Sequence, residues 1–357
     1  MKKSLVALAV LSAFAGIASA QTSVTVYGIV DAGITREDSG LRTFNRLDSG
    51  NQSTSRLGFK GTEDLGGGLS AQFLLEQGFS LDNGAVQDSA RTAFNRQAYI
   101  GLTGNFGQVR LGRQKTVMYD ALAAIDPFGI ASKGGMDRVF MRNVGRNTDL
   151  STAGAGRSDN TIAYFTPNLS GFTGQATYAF GEQANNNRAG RQYGLSLNYA
   201  AGPLVATIDY LNAERIPAAA TLLAPAVTAG NGRGTLIGAT YDFGIAKAHA
   251  AYGIEKSSSV IPTVAPESTD NRDYMVGASV PFGASAVQVD YIKKIDRSGL
   301  NAGAKQYALG YTYALSKRTN FYSSYSAIHQ GSINYAGATG DANQIDRIIN
   351  LGVRHTF

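Results

Sequence analysis

Apolar and polar residues alternate along most of this chain, in segments of about ten residues that begin near Thr22 and continue to Phe357. In 307–315, Tyr or Leu occupies every odd position, and Ala, Gly or Thr occupies every even one. Residues 193–199 and 237–243 repeat this division. Alternation with a period of two predicts half-buried β-strands. An apolar face opposed by a small and polar one suits strands with lipid on one side and water or packed loops on the other.

The same pattern predicts sixteen strands in a single domain. Their expected starts are Ser23, Thr54, Leu69, Ala93, Gln108, Ser158, Phe172, Gln192, Leu204, Thr235, Ala246, Arg272, Ser285, Lys305, Thr319 and Ile345. No linker and no second core interrupt this series. Closing such strands into a barrel satisfies every strand edge internally, as a hydrocarbon environment demands.

The connections between these strands alternate in length. Seven are tight turns, at 64–68, 104–107, 167–171, 200–203, 243–245, 281–284 and 315–318. Eight are longer polar loops, at 37–53, 81–92, 115–157, 183–189, 216–231, 257–269, 297–303 and 330–344. Strict alternation is typical of a membrane barrel with short periplasmic turns and long external loops. A β-sandwich has no reason to keep it.

The last segment gives a sharp local signal. Ile349, Leu351, Val353, His355 and Phe357 share one face, and the residues between them are polar or small. The chain therefore stops on the aromatic residue of its outward face, which completes the pattern of a lipid-facing strand.

The N-terminal sequence is typical of a secretory signal peptide. Lys2 and Lys3 precede an apolar stretch at 5–17, and Ala-Ser-Ala follows at 18–20. This arrangement predicts export and cleavage before Gln21. No later stretch approaches the roughly 18 to 20 apolar residues that a membrane-spanning helix needs. We therefore expect a signal peptide at 1–20 and one barrel domain at 21–357.

Composition and charge narrow the class of protein. The chain has 43 glycines, 18 tyrosines and 16 phenylalanines but only 8 prolines, residues that favour strands joined by turns. It has no cysteine, so disulfides do not hold it together. Its formal charge of +6 falls to +4 without the two lysines of the signal, so we expect no nucleic-acid partner. Composition alone leaves a large secreted β-sandwich or β-helix open.

Catalytic motifs are lacking in the sequence. The three histidines lie on late strands, and neither a G-x-S-x-G elbow, a P-loop nor an H-E-x-x-H motif is present. The glycine-rich GTEDLGGGL ends a strand without opening a helix, so a turn is the better interpretation. The sequence therefore predicts no enzyme, no metal site and no cofactor.

Several stretches spread over the whole chain resemble one family. They are SVTVYGIVDAG at 23–33, SRLGFKGTEDLGGGLSAQFLLE at 55–76, GNFGQVRLGR at 104–113, DNTIAYFTPNLSGF at 159–172 and LGVRHTF at 351–357. These resemble the general porins of Gram-negative bacteria, in particular the trimeric porins of Burkholderia, Bordetella, Delftia and Neisseria. The resemblance implies an all-β transmembrane antiparallel barrel of sixteen strands, assembled as a homotrimer. It also implies that the long third loop, 115–157, folds into the lumen and narrows it. A link this long is otherwise unexpected in a compact domain.

The resemblance further implies a constriction lined by arginines that face a few acids, at Arg56, Arg96, Arg157 and Glu76. Alternation independently places Arg56, Arg157 and Glu76 on the inward face. It does not do so for Arg96, which shares the parity of the apolar 98, 100 and 102. An arginine in contact with lipid costs about 2 to 4 kcal/mol at the midplane of a barrel. The resemblance alone therefore places Arg96 in the lumen.

Four further residues are candidates for the same constriction. Lys60 and Arg110 point inward by parity and extend the row of cations. Asp120 and Asp126 in the long loop are candidates for its acidic side. For each charged residue, the competing interpretation is an ordinary solvated charge in a wet lumen or an external loop.

The sequence thus predicts an outer-membrane channel for passive diffusion of small hydrophilic solutes, with a preference for anions. Its expected partners are two further copies of the chain, outer-membrane lipid with lipopolysaccharide, and the solutes themselves. Two alternatives stay open at this point. One is a substrate-selective anion porin with a saturable site, and the other is a non-conducting barrel that acts as an adhesin or a structural protein.

Overall fold

The computed structural model describes residues 23–87, 93–130, 132–142, 156–214, 216, 229–260, 268–301, 303–332 and 341–357. The expected signal peptide at 1–20 lies outside these residues.

Seventeen strand segments pair into one antiparallel sheet. Their bounds are β1 Ser23–Asp38, β2 Thr43–Ser49, β3 Arg56–Gly66, β4 Leu69–Gly78, β5 Gln97–Gly104, β6 Gly107–Lys115, β7 Arg157–Phe165, β8 Phe172–Ala179, β9 Gln192–Ala201, β10 Leu204–Glu214, β11 Ala229–Asp242, β12 Lys247–Val260, β13 Thr269–Phe282, β14 Ser285–Asp296, β15 Ala304–Ala314, β16 Thr319–Gln330 and β17 Ile345–Thr356.

The sheet closes on itself through its first strand. On one side β1 pairs with β17, from Ile29 opposite Thr356 to Asp38 opposite Arg347. On its other side β1 pairs with β3 over its first half and with β2 over its second half. The segments β2 and β3 therefore occupy a single strand position. The seventeen segments form a closed barrel of sixteen strands, which confirms the predicted fold class.

The barrel has its apolar residues outside and many of its polar residues inside. On β1, Ile34 is 67% exposed on the outer face, whereas Asp31 on the inner face is fully buried. Leu351 on the outer face of β17 is 61% exposed, and its neighbour Asn350 is buried. A strand with lipid on its outer side requires this arrangement, which is the reverse of that in a water-soluble protein.

The first external loop differs from its prediction. The sequence predicts an irregular link at 37–53, but the structure continues β1 to Asp38 and returns as β2. The Ser39 amide donates to the Arg42 carbonyl at 2.9 Å and closes the turn between them. Strands that extend beyond the bilayer need no apolar outward face. Alternation therefore gives no signal in this stretch, and the pattern predicts a loop.

The third loop contains a short helix, α1, at Val117–Ile125. The Thr116 hydroxyl caps its start by accepting the Tyr119 amide at 3.2 Å. The apolar side of α1 packs against the inner barrel wall, where Leu211 and Leu236 are fully buried beside it. The described part of the loop therefore lies inside the barrel. No helix in the described ranges is long and apolar enough to cross a membrane.

Glycines in the wall make room for this loop. A Cβ at Gly238 of β11 would lie 2.1 Å from the Ile125 side chain, and one at Gly253 of β12 would lie 2.6 Å from Met141. No side chain larger than hydrogen fits at these contacts without displacing the loop, which explains why wall and loop approach so closely.

We expect Gly238→Val to push α1 away from the wall. Overpacking of this kind costs about 1 to 3 kcal/mol, so the variant should unfold at a lower temperature in calorimetry. Its single-channel conductance should also change, because α1 lies in the lumen. Ala248→Val also introduces a valine, but on the exposed outer face of β12, and should leave both quantities unaltered. Equal behaviour of the two variants would contradict this packing account.

Candidate functional site

Glu76 and Arg96 form a buried ion pair on the inner face of the barrel. The Arg96 Nε lies 2.7 Å from Glu76 Oε1, and the Tyr27 hydroxyl donates to Glu76 Oε2 at 2.9 Å. Both charged side chains are almost fully buried. Pairing and hydrogen bonding compensate for this burial, since an isolated buried charge would be strongly destabilising.

Arg96 reaches the inner face although its parity predicts the outer one. The reason is that β5 begins only at Gln97, so Arg96 precedes the alternating part of the chain. Phe94, two residues earlier, has a φ of 48°, which bends the backbone into the strand. The Arg96 amide also donates to the Glu76 carbonyl at 3.1 Å. Parity arguments hold only within a strand, and this residue lies outside it.

Arg56 lies beside this pair at the start of β3. Its Nη1 is 4.0 Å from Glu76 Oε2, a distance too long for a hydrogen bond. Its Nε donates to the Thr54 carbonyl at 3.0 Å, which fixes the direction of the side chain. The side chain stays 20% exposed, against 4% for Arg96. Arg56 therefore keeps more of its positive charge open to water in the lumen.

Arg157, the first residue of β7, meets the third loop at an aromatic ring. Its guanidinium carbon lies 4.8 Å from the ring centre of Tyr119 on α1, within the range of a cation–π contact. Its Nε and Nη2 have no hydrogen-bond partner among the described residues. Burial by itself would raise the pKa of Tyr119, but Arg157 and the neighbouring cations hold that pKa below its usual value. The lowered pKa of Tyr119 thus shows that the electrostatic potential at this ring is strongly positive.

Lys60 and Arg110 lie on the same inner face. Lys60 is exposed, with its Nζ 5.5 Å from the ring centre of Tyr27. Arg110 lies between two rings, 4.8 Å from the centre of Tyr99 and 4.3 Å from that of Phe165. Aromatic neighbours hold both cations without neutralising them.

The two loop aspartates have different surroundings. Asp120 on α1 lies 3.4 Å from the Lys115 Nζ, and burial raises the pKa of its carboxyl. Asp126 ends α1 and accepts the amides of Phe128 at 2.9 Å and Met136 at 2.8 Å. Burial raises the pKa of Asp126 to about 7. Asp120 is placed near the row of cations, whereas Asp126 is buried within the loop and organises its backbone.

Comparison with known proteins decides the family. A family model described as Gram-negative porin matches residues 7–332. The chain belongs to this family. Outer membrane porin protein 32 of Delftia acidovorans is 34% identical to it, with 100% of each chain covered. An outer-membrane porin of Bordetella pertussis is 33% identical, again with 100% of each chain covered.

Solved structures agree with this membership. An anion-selective porin from Comamonas acidovorans superposes with a TM-score of 0.78 at 30% identity, covering 94% of this chain and 100% of the other. OmpT of Vibrio cholerae shares the fold, with a TM-score of 0.70 at 16% identity over 95% of this chain and 99% of its own. This chain is therefore an outer-membrane porin, a channel and not an enzyme.

The porin also holds the far end of its third loop through a buried charge cluster that sequence reasoning missed. The Lys294 Nζ lies 2.7 Å from Glu255 and 2.9 Å from Asp273, and none of the three side chains is exposed. Asp273 in turn accepts the Met141 amide at 2.8 Å. Three charged residues of inward parity on neighbouring strands β12, β13 and β14 are a signal that alternation could have found.

We expect Asp126→Asn to remove one pH-dependent contribution to the stability of the porin. The pKa of this carboxyl is about 7 in the folded protein and 3.8 ordinarily. Between these values the folded state binds a proton that the unfolded chain has lost. The carboxyl therefore makes the free energy of unfolding fall as the pH rises from about 4 to 7, with no further change above that.

Calorimetry from pH 4 to 8 checks this. The unfolding temperature of the wild type minus that of Asp126→Asn should decrease up to pH 7 and then stay constant. Asp82→Asn, at an exposed position of the second external loop, should show no such trend. A difference that is constant over the whole range would contradict the assignment.

Proposed function

We propose that this porin is a diffusion channel that prefers anions, with a constriction formed by Arg56, Arg96, Arg157, Lys60 and Arg110 opposite Glu76 and Asp120. The observation that carries the proposal is that Arg96 and Arg56 lie within 4.0 Å of one strand-borne carboxylate, Glu76, and that Arg157 is near enough to interact with it electrostatically. The charge of Glu76 is neutralised by Arg96, whose Nε lies 2.7 Å from Glu76 Oε1. The Tyr27 hydroxyl donates a hydrogen bond to the other carboxylate oxygen. Arg56 and Arg157 then remain as excess positive charge.

Confinement makes this small excess effective. A narrow lumen with low-dielectric walls focuses the field of the few charges that line it and enriches counter-ions locally. The Asp120 carboxylate lies 3.4 Å from the Lys115 Nζ, so Lys115 already balances its charge and the arginines stay in excess. Arg56 and Lys60 lie four residues apart on β3, about 13 Å along the strand. An anion can pass from one to the other without tight binding at either, as conduction requires. The likeness to an anion-selective porin from Comamonas acidovorans supports the same preference.

Reversal potentials in a KCl gradient test the proposal. The wild type should favour chloride over potassium, less so at high salt because of screening. One unit charge at about 5 Å in a water-like dielectric contributes about 0.8 kcal/mol, which is about fourfold in local ion concentration. Arg56→Gln with Arg157→Gln should therefore lower the chloride-to-potassium permeability ratio by roughly fourfold or more.

The matched control is Arg233→Gln, which removes a cation from the outer face of β11 and should leave the ratio unchanged. A wild-type pore that prefers potassium would contradict the proposal, as would a ratio indifferent to both arginine substitutions. Saturation of the current with one solute would instead identify a substrate-selective porin.

We further propose that the porin assembles as a homotrimer through the outer face of β1 to β6. Every strand from β7 to β16 carries at least one outward-facing tyrosine, the residue that favours the membrane interface. These are Tyr164, Tyr178, Tyr193, Tyr199, Tyr210, Tyr241, Tyr252, Tyr274, Tyr291, Tyr307, Tyr311, Tyr313 and Tyr325. In the described strands β1 to β6 both tyrosines, Tyr27 and Tyr99, point inward. A sector without interfacial tyrosines fits contact with another subunit.

The trimer should run intact on a gel in SDS until it is heated, because a closed barrel satisfies its backbone internally and unfolds as a unit. Phe59→Ala with Phe73→Ala, on the outer face of β3 and β4, should lower the temperature of dissociation. Phe321→Ala, on the outer face of β16, is the matched control and should not. A band at monomer mass without heating would contradict the trimer.

Export and surroundings complete the proposal. Residues 1–20 are removed as a signal peptide, and the mature porin begins at Gln21. In the outer membrane, the external ends of the tyrosine-bearing strands β7 to β16 contact the lipopolysaccharide of the outer leaflet.

A further inference from the structure

Two lysines lie directly opposite each other on the outer face of the barrel. Lys293 of β14 and Lys305 of β15 are register partners, and both are exposed. His329 of β16 is the register partner of Lys305 on its other side and is exposed as well. Cβ atoms of such pairs are about 4.5 to 5.5 Å apart, and like charges placed this way destabilise a sheet.

No carboxylate neutralises this pair within the described residues. Neither Lys293 nor Lys305 forms an ion pair there. The lysine and the arginine on two neighbouring strands, in contrast, each pair with a carboxylate. On β12 and β13, Lys256 lies 3.2 Å from Asp270, which also pairs with Arg272. The repulsion between Lys293 and Lys305 is therefore not compensated by the described residues, and an external anion would relieve it.

The position of the two lysines indicates what kind of group this is. They lie near the ends of β14 and β15 that carry the long external loops. Immediately on their membrane side, the rings of Tyr291 and Tyr307 are 5.0 Å apart, and Tyr307 meets His329 edge-on at 5.9 Å. Interfacial tyrosines mark the level of lipid headgroups. An anion at this level belongs to a lipid of the outer leaflet.

An apolar groove on the outer wall lies next to the lysines. It has a volume of about 620 Å³, and small residues form its floor, including Ala206, Ala239 and Ala250. Tyr274 lines its upper edge and is the register partner of Lys293. The groove therefore begins beside the cations and continues along the lipid-facing wall, where an acyl chain is the natural occupant.

We infer that Lys293, Lys305 and His329 bind a phosphate of a phosphorylated glycolipid, the lipid A part of lipopolysaccharide, and that the groove takes one of its acyl chains. This inference rests on the proposed contact with lipopolysaccharide but not on the anion preference of the lumen. The phosphate lies between the two lysines and removes their repulsion.

Native mass spectrometry of the delipidated mature porin in detergent, titrated with bisphosphorylated lipid A, tests the site. Lys293→Gln with Lys305→Gln should raise the dissociation constant at least tenfold. Lys256→Gln is the matched control, since that lysine already has a carboxylate partner, and should change it less than twofold. Phosphatidylglycerol, which offers one phosphate on a two-chain lipid, should bind the wild type at least tenfold more weakly than lipid A.

Equal affinity of the wild type and the double variant would overturn the site. Binding of phosphatidylglycerol as tight as that of lipid A would overturn the glycolipid assignment. Filling the groove by Ala239→Phe should weaken lipid A binding while leaving the reversal potential unchanged. Single-channel conductance of each variant shows that it is folded, and it separates loss of this site from failure of the channel.

Discussion

The hydrogen-bonding requirement of the backbone inside hydrocarbon is the constraint on which the rest of this structure depends. Water is absent there, so each strand must find partners for its amides and carbonyls within the protein. β1 meets this requirement by pairing with β17 on one side and with β2 and β3 on the other. Closure removes every free edge, and alternation along each strand then divides the chain into a lipid side and a lumen side.

The lumen cannot be packed by the side chains of the wall, because a barrel of sixteen strands is too wide for them to fill. The described part of the third loop occupies part of this space. It is held by apolar packing of α1 against Leu211 and Leu236, by close contacts at Gly238, and by the bond from the Met141 amide to Asp273. Fixing the loop in this way places Tyr119 against Arg157. The contacts that stabilise the loop in the lumen therefore also position Tyr119 beside the positive charge of Arg157.

Alternation predicted most of this arrangement, since each strand has one lipid face and one water face. It placed Arg56 and Glu76 inside and set the strand number. It could not place Arg96, because β5 begins one residue later and a bend at Phe94 precedes it. It also missed β2, whose outward residues lie beyond the lipid and need not be apolar. The role of Asp126 depends on the fold of an irregular loop, where no periodicity exists.

The proposed anion preference depends on the attraction of anions to uncompensated arginines on the inner wall. Bromide and rubidium located by anomalous diffraction in crystals of the porin test this attraction most directly. We expect bromide within about 4 Å of the guanidinium groups of Arg56 and Arg157, and rubidium only away from them. Rubidium beside Glu76, with no bromide near either arginine, would contradict it.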